Sequence, residues 1–286
     1  MQLDCNGIAA TSDDLNSKRG RPVDLQLIGK TALVTGSTAG IGFAIARTLA
    51  REGTSIVITG RTRDRVDNAA RRIREEIGDA KVSGIAADLA TARGSAKCIE
   101  AVPSVGILVN NLGVYEPKPF KKITDDDWHS IIETNFMSGV RLCRHYLPRM
   151  EAANWGRIIF ISSESAVNIP VEMIHYGVTK TMQVALARGL AETTSGTGVT
   201  VNSILAGPTR SEGVEQFIAD VARTKEIAAT DIEKDFFKSV RPSSLLQRFA
   251  TIDEVAALVA FVASPLSSAT NGAALRVEGG VLRSIL

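Results

Sequence analysis

Tyr176 and Lys180 stand four residues apart in a stretch with helical periodicity, so both side chains project from one helix face. A phenol beside an ammonium is an acid–base pair. The free phenol titrates at about pH 10, too high for a base at neutral pH, and a positive charge nearby favours its ionised form. Ser163 lies 13 residues before Tyr176, at the end of the β-branched run Arg157 to Ser162 (RIIFIS). A hydroxyl at a strand end can donate a hydrogen bond to an oxygen that gains negative charge. Tyr–Lys pairs at this spacing also decorate ordinary solvated helix faces, so the trio gains weight only from a second constellation.

That constellation is Gly36-Ser37-Thr38-Ala39-Gly40-Ile41-Gly42, set between a strand-like run (Thr31 to Thr35) and a helical pattern (Ile41 to Glu52). Glycines permit the tight turn and let the backbone approach a pyrophosphate. The helix N-terminus behind them offers free N–H groups and a positive dipole end. A strand–glycine turn–helix of this kind points to dinucleotide binding. The next strand-like run (Ser55 to Thr59) is followed by Gly60-Arg61-Thr62-Arg63, with no carboxylate before Asp64. A carboxylate there would bond a ribose 2′-hydroxyl, whereas a guanidinium can fork onto a 2′-phosphate. Arg61 therefore favours NADP(H), with NAD(H) the alternative if Arg61 is only a solvated arginine.

These residues need a scaffold, and the rest of the chain supplies one. Further strands are expected at Lys81 to Ala86, Ile107 to Asn110, Val199 to Leu205 and Ala274 to Val277. Helices are expected at Asp64 to Ile77, Asp126 to Met150, His175 to Thr194 and Asp253 to Ala263. Strands alternating with helices imply an α/β, doubly wound Rossmann fold with a mostly parallel seven-stranded sheet and helices on both faces. Residues 25–286 form one domain, and residues 1–24 an N-terminal extension. Residues 209–241 fit neither a strand nor a simple connector and read as a long substrate loop. Within them Phe217, Ile218, Val221, Phe236 and Phe237 suggest either a lid over an apolar substrate or packing of that segment on itself.

Composition excludes several other classes. The 286 residues are 44% apolar, and 33 Lys+Arg against 31 Asp+Glu leave a net charge of +2. That balance gives no general reason to expect nucleic acid or an anionic membrane as partner. Cys5, Cys98 and Cys143 form no CxxC pair, and His129, His145 and His175 have no metal-ligand spacing, so no metal is expected. The apolar run Val255 to Ala263 is too short to span a bilayer, and the first 24 residues lack the apolar core of a secretory signal. A cytoplasmic location is expected.

Taken together, the motifs resemble the short-chain dehydrogenase/reductase family over nearly all of residues 25–286. They are Thr35-Gly36-(x3)-Gly40-Ile41-Gly42, Asn110-Asn111-x-Gly113, Asn135, Ser163 and Tyr176-(x3)-Lys180. The TGxxxGIG form is similar to the single-domain oxidoreductase branch, including 3-oxoacyl-carrier-protein reductases. The resemblance implies that Tyr176 is the general acid in reduction and the base in oxidation. Lys180 would lower the Tyr176 pKa and bond the nicotinamide ribose. Ser163 would polarise the substrate oxygen, and Asn135 would hold a relay water. It further implies cofactor contacts from Asp88 and Leu89 near the adenine, from Asn111 and Gly113 along the groove, and from Thr209 and Ser211 at the carboxamide. A homotetramer or homodimer pairing the two long helices is also implied.

Some positions depart from the pattern. Leu112 stands where the family commonly has Ala, Ala206-Gly207-Pro208 where Pro-Gly is usual, and Glu278 where the C-terminal motif usually has Asp. The arginines by which carrier-protein reductases dock an acidic carrier are replaced by Asn154 and Thr197, although Arg144 and Arg149 could form another basic patch. Candidate substrate residues, besides Ser163 and Tyr176, are Tyr115, Glu164, Ile169 and Met173. Glu164 either selects a polar or cationic substrate or faces solvent. The expected function is an NADP(H)-preferring interconversion of a small-molecule carbonyl and a secondary alcohol. The alternatives are a 3-oxoacyl-carrier-protein reductase and, from another class, a non-catalytic dinucleotide sensor or scaffold.

Overall fold

The computed structural model of the chain describes residues 23–225 and 228–285. The extension expected over residues 1–24 therefore lies, up to residue 22, outside the described residues. In chain order the elements are β1 (Thr31–Val34), α1 (Gly40–Arg51), β2 (Ser55–Gly60), α2 (Arg63–Glu76), β3 (Val82–Ala86), α3 (Ala92–Ala101) and β4 (Ile107–Asn110). After these come α4 (Asp125–Ile132), α5 (Ser138–Ala152), β5 (Gly156–Ser163), α6 (Ile174–Thr193), β6 (Val199–Ala206) and β7 (Thr209–Arg210). The chain continues through α7 (Glu212–Lys225), α8 (Ala229–Asp235), β8 (Ala250–Thr251), α9 (Ile252–Ala263) and β9 (Ala274–Val277).

Seven strands form one parallel sheet in the order β3-β2-β1-β4-β5-β6-β9. This is the doubly wound arrangement expected, with its reversal of strand order between β1 and β4. Side chains alternate across each strand, so β5 sends Ile159 and Ile161 to one face and Ile158 and Phe160 to the other. The first face packs on α1, α2 and α9 through Phe43, Ile45, Leu49, Val66, Ile73, Val255 and Val259. The second packs on α3, α5 and α6 through Cys98, Leu142, Tyr146 and Ala187. Both faces being covered explains why β5 and β6 are buried at every residue.

Two sequence expectations change in detail. The helix expected from Asp126 to Met150 is two helices, α4 and α5, joined by a wide turn of π-helical pattern over Glu133–Met137. The segment 209–241 is no loop: it holds β7, α7, α8 and a second wide turn over Phe236–Val240, with β7 pairing to β8 in a separate two-stranded ribbon. Ile218 and Phe237 are buried with Phe249, and Val214, Ile232 and Phe236 pack against them. The apolar residues of this segment thus face each other, which is the packing alternative rather than the lid. The side chains of Phe217 and Val221 lie outside the described residues.

One buried cation anchors the opposite end of the sheet from the glycine turn. Arg157, at the start of β5, is 1% exposed. Its Nε donates to the Ser264 carbonyl at 3.2 Å, and its Nη1 to the Gly156 and Gly198 carbonyls at 2.8 and 2.9 Å. The guanidinium lies 5.0 Å from the Trp155 ring centroid. Arg157→Met removes the donor from all three carbonyls while keeping much of the volume. Orphaned buried acceptors are costly, so urea melts should show a loss of about 2–4 kcal/mol.

Candidate active site

The glycine turn follows β1 at the reversal of strand order, where open parallel sheets leave a crevice. Gly36 and Gly40 have φ of +60° and +57°, which other residues adopt only with strain. A Cβ on Gly42 would sit 2.4 Å from Asn111 Nδ2 and 2.6 Å from the Gly36 carbonyl. The turn is braced from β4. Asn111 Nδ2 donates to the Thr35 and Gly36 carbonyls at 2.9 and 3.1 Å, and the Asn111 and Leu112 N–H groups both donate to Thr35 Oγ1 at 2.9 Å. Ser37 is fully buried; its hydroxyl donates to the Val34 carbonyl and accepts from the Thr59 N–H. The side chains of Ser37 and Asn111 therefore shape the turn from within. Thr38 stands over Gly60, where a Cβ would meet its Cγ2 at 2.5 Å.

Helix α1 begins without a side-chain cap at Ala39 and without an acidic residue in its first turn. Helices α4 and α9, by contrast, carry full capping boxes through Thr124/Asp127 and Thr251/Glu254. Uncapped N–H groups beside Gly40 and Ile41 suit a pyrophosphate, so the residues present fit a dinucleotide. Ser211 covers the turn: its Cβ lies 3.5 Å from the position a Gly40 Cβ would take. Arg61 is exposed at the end of β2 and pairs with no carboxylate among the described residues, whereas Arg63 reaches Asp67 and the Gly84 carbonyl. Asp88 is exposed and accepts from the Ala90 N–H; the Leu89 side chain is buried in the core and does not face the groove. Thr209 is buried, and its hydroxyl donates to the Gly207 carbonyl.

Ser163 closes β5, and Tyr176 and Lys180 lie on α6, which packs against that strand. Ser163 Oγ accepts the Ser165 N–H at 3.1 Å. Burial pushes the Tyr176 phenol up to about 12; the nearby Ser163 side chain and the Arg241 charge pull it down, while Glu164 and Tyr115 raise it. Lys180 is not among the groups that lower it. Its Nζ donates to the Ile161 carbonyl at 2.9 Å and to Gln183 Oε1 at 3.3 Å, and stands 5.6 Å from the Tyr176 ring centroid. Burial lowers the Lys180 ammonium to about 8. Gly113, exposed, lies over this group: a Cβ there would come 3.4 Å from Nζ.

Asn135 sits in the wide turn between α4 and α5, 1% exposed. Its Oδ1 accepts the Val114 N–H, and its Nδ2 donates to the Val114 carbonyl and to Thr179 Oγ1. Its backbone carbonyl accepts Gln183 Nε2 at 2.5 Å. The side chain thus pins the strand-end loop to α6, and the backbone carbonyl meets the Gln183 carboxamide.

Glu164 neither faces solvent nor stands free. It is 3% exposed, its Oε1 accepts Arg241 Nε at 2.9 Å and its Oε2 accepts the Ser165 hydroxyl at 3.0 Å. Arg241 also bonds Glu172 at 3.3 Å; burial would lower its pKa, but Glu164 and Glu172 raise it. Tyr115 meets the Tyr176 ring edge-on at 6.1 Å and is exposed, and Met173 is half-buried at the start of α6. Gln183 and Arg241 are the residues that motif reading passed over. Gln183 lies three residues after Lys180 on the same helix face, a spacing that could have marked it; nothing in the sequence joins Arg241 to Glu164, 77 residues away.

A family profile described as short chain dehydrogenase matches residues 30–222. The uncharacterized oxidoreductase YvaG of Bacillus subtilis is 46% identical over 91% of this chain and 99% of its own. The 3-oxoacyl-[acyl-carrier-protein] reductase FabG of Aquifex aeolicus is 31% identical over 91% and 100%. Among solved structures, L-sorbose reductase of Gluconobacter frateurii, complexed with NADPH and L-sorbose, superposes with a TM-score of 0.87 at 30% identity, over 92% of this chain and 100% of that one. The parallel sheet with helices on both faces accords with these matches, and the chain belongs to the short-chain dehydrogenase/reductase family of oxidoreductases.

Proposed function

We propose that the chain interconverts a ketone and a secondary alcohol with NADP(H), using Tyr176 as general acid and base. The observation that carries this reading is the placement of Ser163 at the carboxyl end of β5 with Tyr176 and the buried Lys180 together on the helix packed against that strand, in a chain whose glycine turn leaves its helix uncapped. A dinucleotide sensor would have no use for such a trio. Bound NADPH supplies the hydride. The turn from Gly36 to Gly42, with Ser211 above it, holds the pyrophosphate, Arg61 the 2′-phosphate and Lys180 the nicotinamide ribose. Asp88, Gly113 and Thr209 line the same groove. The NADPH complex of L-sorbose reductase supports the choice of coenzyme.

Ser163 donates to the substrate oxygen, and Tyr176 Oη delivers the proton as negative charge develops there. A phenol held near 12 is neutral throughout the physiological range, which suits it to donate. Arg241 is the cation whose charge favours the phenolate once the proton has left.

Glu164 and Glu172 share Arg241, and at Tyr176 the Glu164 and Arg241 charges act in opposite directions. Asn154, at a docking position of carrier-protein reductases, spends its Oδ1 on the Gly198 N–H, so no observation favours a carrier-bound substrate.

Tyr176→Phe should lower turnover by about 10²–10⁴-fold with NADPH binding retained; full activity in that variant defeats the mechanism. Arg61→Ala should weaken NADPH binding by about tenfold and leave NADH binding unchanged, as fluorescence titration would report.

A further inference from the structure

We infer that Gln183 is a positioning residue for the Lys180 ammonium, and that it does this by bridging Lys180 Nζ to the backbone carbonyl of Asn135. The inference rests on the reading of Lys180 as a holder of the nicotinamide ribose. Gln183 is 1% exposed, so its carboxamide must find partners within the protein. It finds two. Oε1 accepts from Lys180 Nζ at 3.3 Å, and Nε2 donates to the Asn135 carbonyl at 2.5 Å. The polarity of the bridge is fixed by both neighbours: an ammonium only donates and a carbonyl only accepts, so the amide can take one orientation alone.

The consequence for Lys180 is geometric. An ammonium has three N–H groups. One goes to the Ile161 carbonyl on β5 and one to Gln183, which leaves one directed by the other two. Gly113 covers Nζ without a side chain, so the remaining N–H has room to meet a ligand hydroxyl. A carboxamide also keeps its protons, whereas a water in the same place would exchange them. Gln183 thereby holds the charge on Lys180 in position from behind.

Among the described residues, no charged group is paired with Lys180. Tyr176 and His175 share α6 with Lys180, and Cys143 lies on α5 bonded to Asn110. Glu133, in the wide turn beside Asn135, is paired with Arg141. Glu164 and Arg241 act on Tyr176. Burial lowers the Lys180 ammonium to about 8, and the acceptors that face its charged form are the Ile161 carbonyl and Gln183 Oε1.

The test reads NADPH affinity by fluorescence between pH 6 and 10, on the full chain and on variants checked for folding by circular dichroism. Lys180→Met identifies the alkaline limb that belongs to the ammonium. Gln183→Leu removes the acceptor, so the limb should move acid by about one pH unit and affinity at pH 7 should fall about three- to tenfold. Gln183→Glu places a carboxylate against the ammonium, so the limb should move alkaline by about one unit or more. A residue that merely fills space would move both limbs alike or neither. Equal shifts, no shifts, or an alkaline limb insensitive to Lys180→Met would each overturn the inference. Should Gln183→Leu not fold, Gln183→Met keeps the length without the acceptor and carries the same prediction. NADPH binding with the two opposite shifts but no ketone reduction would defeat the proposed reaction while upholding the bridge.

Discussion

An ammonium buried against a parallel sheet is the constraint around which the rest of this site is arranged. Lys180 is 4% exposed, and a charge so placed needs acceptors within reach or it loses its proton. The acceptors come from two directions, the Ile161 carbonyl of β5 and the Gln183 carboxamide of its own helix. Ser162 ties the same strand to the same helix by donating to the Lys180 carbonyl. Helix α6 is thereby fixed along β5 both in register and in rotation. Ser163 and Tyr176 inherit that register, which brings this strand end and this helix face together.

The wide turn between α4 and α5 belongs to this arrangement. A regular helix from Asp125 to Ala152 would have kept the Asn135 carbonyl in its ladder of backbone hydrogen bonds. Widening at Glu133–Met137 accompanies a carbonyl that instead accepts from Gln183. The Asn135 side chain then clamps Val114 at both its N–H and its carbonyl, holding the loop after β4 beside Gly113. One residue thus joins the loop after β4, the helical turn and α6, and Thr179 completes the joint by bonding both Asn135 and the Tyr176 carbonyl.

The seven strands and the glycine turn are legible in the sequence because each is a local signal. β-branched runs bounded by turns mark buried strands, and spaced glycines mark a close backbone approach. Ser163, Tyr176 and Lys180 are legible through spacing on one strand end and one helix face. What stays hidden is what depends on contacts distant in sequence or on backbone detail. Periodicity continues through Asn135, so the pattern from Asp126 to Met150 gives no sign of a change in helical pitch. Glu164 reads equally as a pocket residue or a surface residue until Arg241, 77 positions on, is seen to neutralise it. Asn111 and Ser37 read as ligand contacts from their motif, yet their polar groups are consumed in building the turn.

The segment from β7 to β8 stands apart from the main core in a way that bears on specificity. Its apolar residues form their own cluster around Ile218, Phe237 and Phe249, and Glu233 ties α8 to the ribbon through Arg210 and the Phe249 N–H. Such a unit can keep its own packing while its position over the sheet is set by a few links. One link is Ser211 above Gly40; another is Arg241 against Glu164. Breaking a buried ion pair by removing one partner leaves an uncompensated charge, so this second link is a strong constraint on geometry even where its net contribution to stability is small. The same pair sets the electrostatic field at Tyr176, since Glu164 raises and Arg241 lowers its pKa. The contact that seats the segment is therefore also the contact that shifts the Tyr176 phenol, so a substitution in the segment that displaces Arg241 alters the surroundings of Tyr176 as well.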